Sequence, residues 1–344
     1  MAKKLFDYQL DETVDGYFLL KDSEVRIAKN GKKFLAINFQ DTSGEISGKF
    51  WDASDTDVEN FQAGRIVHLK GKRENYQGNP QIKIQQMRLT HSGEPQEVQQ
   101  FVEHAPLKTD TMADEINQFV FEITEPNWNR IVRHMLTTFH DRFFSYPAAK
   151  KNHHAFAGGL AYHTLSILRL AKAVADQYPH VNRALLYAGA ILHDMGKTIE
   201  MSGPVSTTYT LAGNLVGHIV LIDEQIVETC QQLKIDEQSE SVLVLRHTIL
   251  AHHGLLEYGS PVRPHIMEAE ILHDLDELDA SIQMMQTSLG HAEPGTYTER
   301  IFAMDGRNFY RPTGDQTKGE LPDEHLIARC LKKLLKSMIL TVFL

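Results

Sequence analysis

The hydrophobic period of this chain changes once, from about two residues to about 3.6, and that change limits what it can fold into. Before residue 90, Leu35, Ile37 and Phe39 alternate with Ala36, Asn38 and Gln40, Val67 and Leu69 with His68 and Lys70, and Ile82 and Ile84 with Lys83 and Gln85. A period of two with one apolar face predicts half-buried strands. Five are expected, near 14–28, 33–40, 45–51, 65–73 and 81–89. Asn30-Gly31 predicts a type I′ hairpin turn, and Gly44 and Gly78-Asn79-Pro80 mark other turns. Five short strands in under about 90 residues predict a small closed barrel, most commonly an OB-fold.

Beyond about residue 111 the pattern is helical. Ile131, Met135, Phe139 and Phe143 recur at spacing four, and Leu165, Leu168 and Ala171 follow in a segment ending at Pro179. Further helices are expected near 182–195, 217–234, 238–253 and 264–289. The polar stretch 91–110, with two prolines, reads as a linker. The expected organisation is therefore multidomain, β then α: a barrel over 1–90, the linker 91–110, an all-α domain over 111–312 and a tail over 313–344. From Leu331 to Leu344 that tail is basic and then apolar, which suits docking on the domain, oligomerisation or contact with a membrane surface; docking or a non-native extension is the simplest reading, and the tail's role stays open.

Composition narrows the classes. A chain of 344 residues suits two or three domains at about 100–200 residues each. Lys3 and Lys4 lead into Leu5-Phe6-Asp7 and not into an apolar run, and no stretch of about 18 apolar residues exists. Neither a secretory leader nor a membrane span is expected. Cys230 and Cys330 form no CxxC pair, which fits a reducing cytoplasm. The net charge of −10 argues against nucleic acid as a partner, but residues 65–90 carry six basic side chains against Glu74 alone. Local charge matters more than the total for binding phosphate. Histidine is the unusual count: 18, most of them beyond residue 130, which calls for a test of metal binding.

Metal-ligand side chains recur through the helical region as His163, His193-Asp194, His218, His252-His253 and Asp276. The separations, 30, 24, 34 and 23 residues, suit one ligand group per helix converging on one bundle core. Mixed imidazole and carboxylate donors suit Mn²⁺, Fe or Zn²⁺ and not an all-cysteine structural zinc. An Asp beside a His can bridge two ions while the His binds one. Two ions about 3.5–4 Å apart can clamp both oxygens of a phosphodiester displacement. In His193-Asp194-Met195-Gly196-Lys197, Gly196 is expected to end the helix and allow close approach, and Lys197 to offer a cation to a phosphate oxygen.

The order H…HD…H…H…D resembles the HD superfamily of metal-dependent phosphohydrolases. The segments from His153-His154 through Gly158-Gly159 to His163-Thr164, Ala251-His252-His253-Gly254, and Glu270 through Asp276 to Asp279-Ala280 resemble bacterial 3′→5′ exoribonucleases of the YhaM type. Those enzymes also carry an N-terminal OB-fold, so the likeness spans residues 1 to about 312. It implies that 111–312 is an HD domain that removes nucleotides from the 3′ end of single-stranded RNA, and of single-stranded DNA as well, with two divalent ions, Mn²⁺ first. It places His163, His193, Asp194, His218, His252 and Asp276 as ligands, His253 as an alternative or additional one, and Asp279 as a residue that orients a histidine. Asp274 is expected to face solvent. Related cyclic-dinucleotide phosphodiesterases carry Gly-Tyr-Pro after the double histidine; here Glu257-Tyr258-Gly259-Ser260-Pro261 does not support that specificity.

On an OB-fold, strands 2–3 and the loops joining strands 1–2 and 4–5 bind oligonucleotides. Those loops here offer Lys29, Lys32 and Lys33, and then Lys72, Arg73 and Tyr76. Tyr76 and Trp51, at the end of strand 3, are candidates to stack bases. Core or hinge packing is the competing role for Trp51, and simple solvation for the lysines. Two other functions compete: a nucleotide or cyclic-nucleotide phosphohydrolase with a regulatory barrel, and a nucleic-acid adaptor with a structural metal. Lys197 beside a full ligand set disfavours the adaptor, because a structural site needs no open position. Subunit number is left open.

Overall fold

The computed structural model describes residues 3–76, 79–150 and 154–314. Most of the 313–344 tail, with Leu331–Leu344 and Cys330, lies outside the described residues, as do Gln77, Gly78 and His153.

Five strands, β1 (Thr13–Ile27), β2 (Lys33–Asp41), β3 (Gly44–Trp51), β4 (Ile66–Tyr76) and β5 (Asn79–Leu89), close into a barrel in the order β1-β2-β3-β5-β4. All pairs are antiparallel except β3–β5, and β4 closes on β1 through Thr13↔Lys72 to Leu19↔Ile66. Closure leaves no open sheet edge. The alternation read from sequence points inward as expected: Leu35, Ile37, Phe39, Val67, Leu69 and Ile82 are each at most 2% exposed. Helix α1 (Asp55–Asn60) links β3 to β4 and starts with a reciprocal cap between Ser54 and Asp57.

The β1–β2 turn differs from expectation. Gly31 has φ of +80°, but Asn30 is not among the residues with positive φ, so the turn is not type I′. Gly31 N–H bonds to Ala28 O and Ala28 N–H to Lys32 O. That is the three-residue loop ending in a left-handed glycine, and it needs only one positive φ.

The 91–110 stretch is mostly exposed but is anchored at a few points. Glu94 accepts two hydrogen bonds from Arg88 and one from Tyr17. Phe101 and Val102 bury against Leu19, Ile66 and Ala157, joining barrel to helices.

The helical region comprises α2 (Thr109–Phe121), α3 (Pro126–Thr138), α4 (His140–Ser145), α5 (Gly159–Gln177), α6 (Arg183–Leu192), α7 (Lys197–Glu200), α8 (Leu211–Leu215), α9 (His218–Leu233), α10 (Glu240–Leu250) and α11 (Met267–His291). Pro126 at the first position of α3 and the Glu125 carboxylate on Trp128 N–H start that helix. Ile131, Met135, Phe139 and Phe143 are all buried, although the helix breaks at Phe139. Tyr187 on α6 is fully buried and meets Phe119 edge to face at 5.1 Å.

The chain divides into two compact units, 1–279 and 280–344. In the described part of the second, Tyr297 pairs with Tyr310 and Ile301 with Arg307 as single bridges, and Arg311 donates to Leu289 O and Ala292 O.

Candidate active site

Two helix ends deliver the central residues. The last carbonyls of an α-helix have no partner within the helix. At the end of α6, His193 Nδ1 sits 2.8 Å from Ala190 O; past the end of α10, His252 Nδ1 sits 2.7 Å from Ile249 O. A carbonyl only accepts, so Nδ1 carries the proton and Nε2 keeps its lone pair. The expectation that these ligands ride on helices, with Gly196 ending one, is corrected here. Helix α6 stops at Leu192, and the chain continues in tighter turns, Met195 N–H to Leu192 O and Lys197 N–H to Asp194 O. Gly196 then leads into α7. Its close approach is real: a Cβ there would lie 2.1 Å from His218 O.

The other three histidines are held in the same way. His253 Nδ1 is 2.7 Å from Tyr258 O, His218 Nδ1 is 3.1 Å from a Glu200 oxygen, and His163 Nδ1 is 2.7 Å from Asp279 Oδ2. All five rings thus have Nδ1 tied to an acceptor, the arrangement that prepares Nε2 to ligate a metal.

The five other expected ligand positions and His253 come together around Asp194, which is 1% exposed. Its Oδ2 lies 3.5 Å from His163 Nε2 and 3.4 Å from His193 Nε2. Its Oδ1 lies 3.5 Å from His218 Nε2 and 3.9 Å from His252 Nε2. His163, His193 and Asp276 form one group whose donor atoms lie within 4.8 Å of one another, and His218, His252 and His253 form a second. Each Asp194 oxygen faces a different group. Lys197 Nζ also binds Asp194 Oδ2, at 2.7 Å.

The electrostatics are those of a cation site. Burial opposes ionisation of Asp194, yet Lys197 and the histidines hold its carboxyl well below the usual range. Burial likewise opposes Asp276, and His163 lowers it. Burial would lower His163, but Asp276, Asp279 and Asp194 raise it to about 10. Burial, with His253 and His193 nearby, pushes His252 well below the ordinary imidazole value. Nε2 of His193, His218 and His252 and Oδ1 of Asp194 are buried with no hydrogen bond among the described residues. Each such acceptor costs about 1–3 kcal/mol if left so. These nitrogen and oxygen donors fit divalent metal ions.

Some residues that shape the site were not singled out from sequence. Glu200 holds His218. Asp279, expected to orient a histidine, also accepts from His154 Nε2 at 2.7 Å and from the Ser166 hydroxyl. Asp274 is exposed, as expected.

On the barrel, Trp51 is 57% and Tyr76 53% exposed, and Lys49 Nζ lies 5.8 Å from one ring and 5.2 Å from the other. Trp51 also rests on Phe34, with centroids 4.8 Å apart. Ala36, Asn38 and Ser47 share this outward face by register. Lys49 was not anticipated, although it lies two residues before Trp51 and so on the same face. Several expected cations have protein partners: Lys32 pairs with Asp52, Lys33 with Asp55 and Lys72 with Asp11. Arg73 donates to the carbonyls of Phe6 and Tyr8, so its guanidinium fastens the N-terminal segment to the barrel. Lys29 is exposed at its turn.

A closed five-strand barrel joined to helices that gather histidines about a His-Asp pair defines an OB-fold protein with an HD-type hydrolase domain. The sequence signatures agree: the HD domain matches residues 160–281 and the OB-fold nucleic acid binding domain matches 21–90. Proteins named 3′-5′ exoribonuclease YhaM from Listeria innocua serovar 6a and Listeria monocytogenes serovar 1/2a are each 50% identical over 313 residues, covering 91% of this chain and 99% of theirs. The Listeria welshimeri serovar 6b protein of that name matches to the same extent. The chain belongs to the YhaM family of 3′-5′ exoribonucleases, which are hydrolases. No described helix is long and apolar enough to cross a membrane.

Proposed function

We propose that this protein shortens single-stranded RNA from its 3′ end with two divalent metal ions, Mn²⁺ first, which the two groups of side chains facing Asp194 would hold. The observation that carries the reading is that the two Asp194 oxygens face two separate groups of ligands. His163, His193 and Asp276 would hold one ion, and His218, His252 and His253 the other. When bound, such ions supply Lewis-acid polarisation of the phosphate and acidify water near neutral pH.

The chain's own groups do the rest. The Nδ1 bonds orient the imidazoles, and burial excludes bulk water from Asp194. Lys197, whose Nζ lies 2.7 Å from Asp194 Oδ2, is assigned to a non-bridging phosphate oxygen. We place the chemistry in 111–312 and the grip on the strand in 1–90. Trp51 and Tyr76 would stack bases, with Lys49 between them and Lys29, Lys32, Lys33 and Lys72 around the backbone path. Arg73 is better assigned to holding the N-terminal segment. Single-stranded DNA is included, because stacking and hydrolysis at phosphorus do not require a 2′-hydroxyl.

The test is a 5′-labelled single-stranded RNA incubated with metal-stripped protein, without and then with Mn²⁺. A ladder descending from the 3′ end only with metal is expected. Internal cuts, or turnover of dinucleotides with long RNA untouched, would overturn the reading, the latter in favour of a small-nucleotide phosphohydrolase.

A further inference from the structure

Glu200 closes α7 and is 9% exposed. One oxygen, Oε1, lies 3.1 Å from both His218 Nδ1 and the His218 backbone N–H. His218 is the first residue of α9, and the preceding Gly217 has no side chain with which to cap that helix. Glu200 therefore supplies from 18 residues away both the acceptor for a free N–H at the helix start and the acceptor that orients the ring. Its own backbone is clamped. Thr210 N–H bonds to Glu200 O and the Thr210 hydroxyl to Ile199 O, and α8 lies so close that a Cβ on Gly213 would fall 2.2 Å from Glu200 O. The other ligand group has a different support, Asp279 on His163.

We propose that Glu200 is a positioning residue for one metal position alone, the His218–His252–His253 side, so that the two ions can be lost separately. The inference rests on the two-ion reading. It follows from each side having its own buried carboxylate: Glu200 behind His218, and Asp279 behind His163. Removing such a support costs about ten- to a hundredfold in metal affinity.

The experiment is titration of the metal-stripped full chain with Mn²⁺, read by bound-metal stoichiometry and by electron paramagnetic resonance. The wild type is expected to bind two ions and give a coupled spectrum. Glu200→Ala should keep one ion at wild-type affinity and bind the second about ten- to a hundredfold more weakly, giving an isolated-ion spectrum at low Mn²⁺. Glu200→Gln retains an acceptor oxygen and should recover most of the loss. Glu200→Asp keeps the charge but draws it back by one methylene, and should weaken the second ion alone; it serves where Glu200→Ala does not fold. Asp279→Ala should weaken one ion while Glu200→Ala combined with it weakens both. Unchanged binding of both ions in Glu200→Ala or Glu200→Asp, equal loss of both, or no recovery in Glu200→Gln would overturn the proposal. A single ion in the wild type would overturn the two-ion reading itself, and this inference with it.

Discussion

Replacing Lys197 with methionine probes how the centre balances its charge. Lys197 Nζ lies 2.7 Å from Asp194 Oδ2, with side chains 12% and 1% exposed. Burial opposes the ammonium, but Asp194 and Asp276 raise its pKa. Removing one partner of a buried pair costs about 3–5 kcal/mol. The lower end applies, because Asp194 retains His163 Nε2 at 3.5 Å, and the carboxylates around that imidazole raise its pKa and favour its charged form. At roughly 2–4 °C per kcal/mol, about 3 kcal/mol lowers the melting temperature in chelator by roughly 6–12 °C. A bound cation takes over the compensation, so the deficit should shrink to about 1 kcal/mol or less in saturating Mn²⁺. Closing the cycle, the variant should bind Mn²⁺ more tightly by about 2 kcal/mol, or roughly thirtyfold. Turnover on RNA should still fall by about 10²–10³ if Lys197 serves the phosphate as proposed. The assay is thermal unfolding in chelator and in Mn²⁺, with Mn²⁺ titration of the same preparations. An equal melting deficit under both conditions would refute the argument and make Lys197 a permanent partner of Asp194.

Asp194→Asn should lose bound metal on both sides and at least about 10³ in exonuclease rate, several kcal/mol of transition-state stabilisation; near-normal laddering by a preparation cleared of wild-type protein would contradict this. Trp51→Ala and Tyr76→Ala should each weaken single-stranded RNA binding by about 1–3 kcal/mol without changing its salt dependence, as filter binding at several salt concentrations can show, because stacking releases no counterions. These point variants are preferable to deleting the barrel, which would strip Leu19 and Ile66 from Phe101, Val102 and Ala157. Glu94 is held far below the usual carboxylate range, first by Arg88. A depressed acid stabilises above its unfolded value of 4.5 and loses that contribution as pH falls. Protease cleavage within 91–97 should therefore rise in acid, and Glu94→Gln should show the same sensitivity already at neutral pH; resistance in that variant would count against the clasp.

Strand positions were legible because a barrel core needs strict alternation, and Leu35, Ile37 and Phe39 display it. The turn type was not, since Asn30-Gly31 serves either a two-residue or a three-residue loop and the pairing of Ala28 with Lys32 decides. The loop cations showed their charge but not their partners: Asp55 is 22 residues from Lys33, and Arg73 is held by carbonyls 65 and 67 residues away. The candidate ligand side chains stood out in the sequence for a chemical reason. A metal admits only a few side-chain types, so five histidine or aspartate groups in order stand out from any bland background. What holds those candidate side chains in place obeys no such restriction. Glu200 could be any carboxylate in the chain, and His154 and Ser166 reach Asp279 across 125 and 113 residues. Three of the five imidazoles are held by the carbonyls of Ala190, Ile249 and Tyr258, groups that every residue carries. A backbone acceptor has no residue identity, so no sequence pattern can announce it; it is set only by where α6 and α10 stop and how the turn after His253 closes.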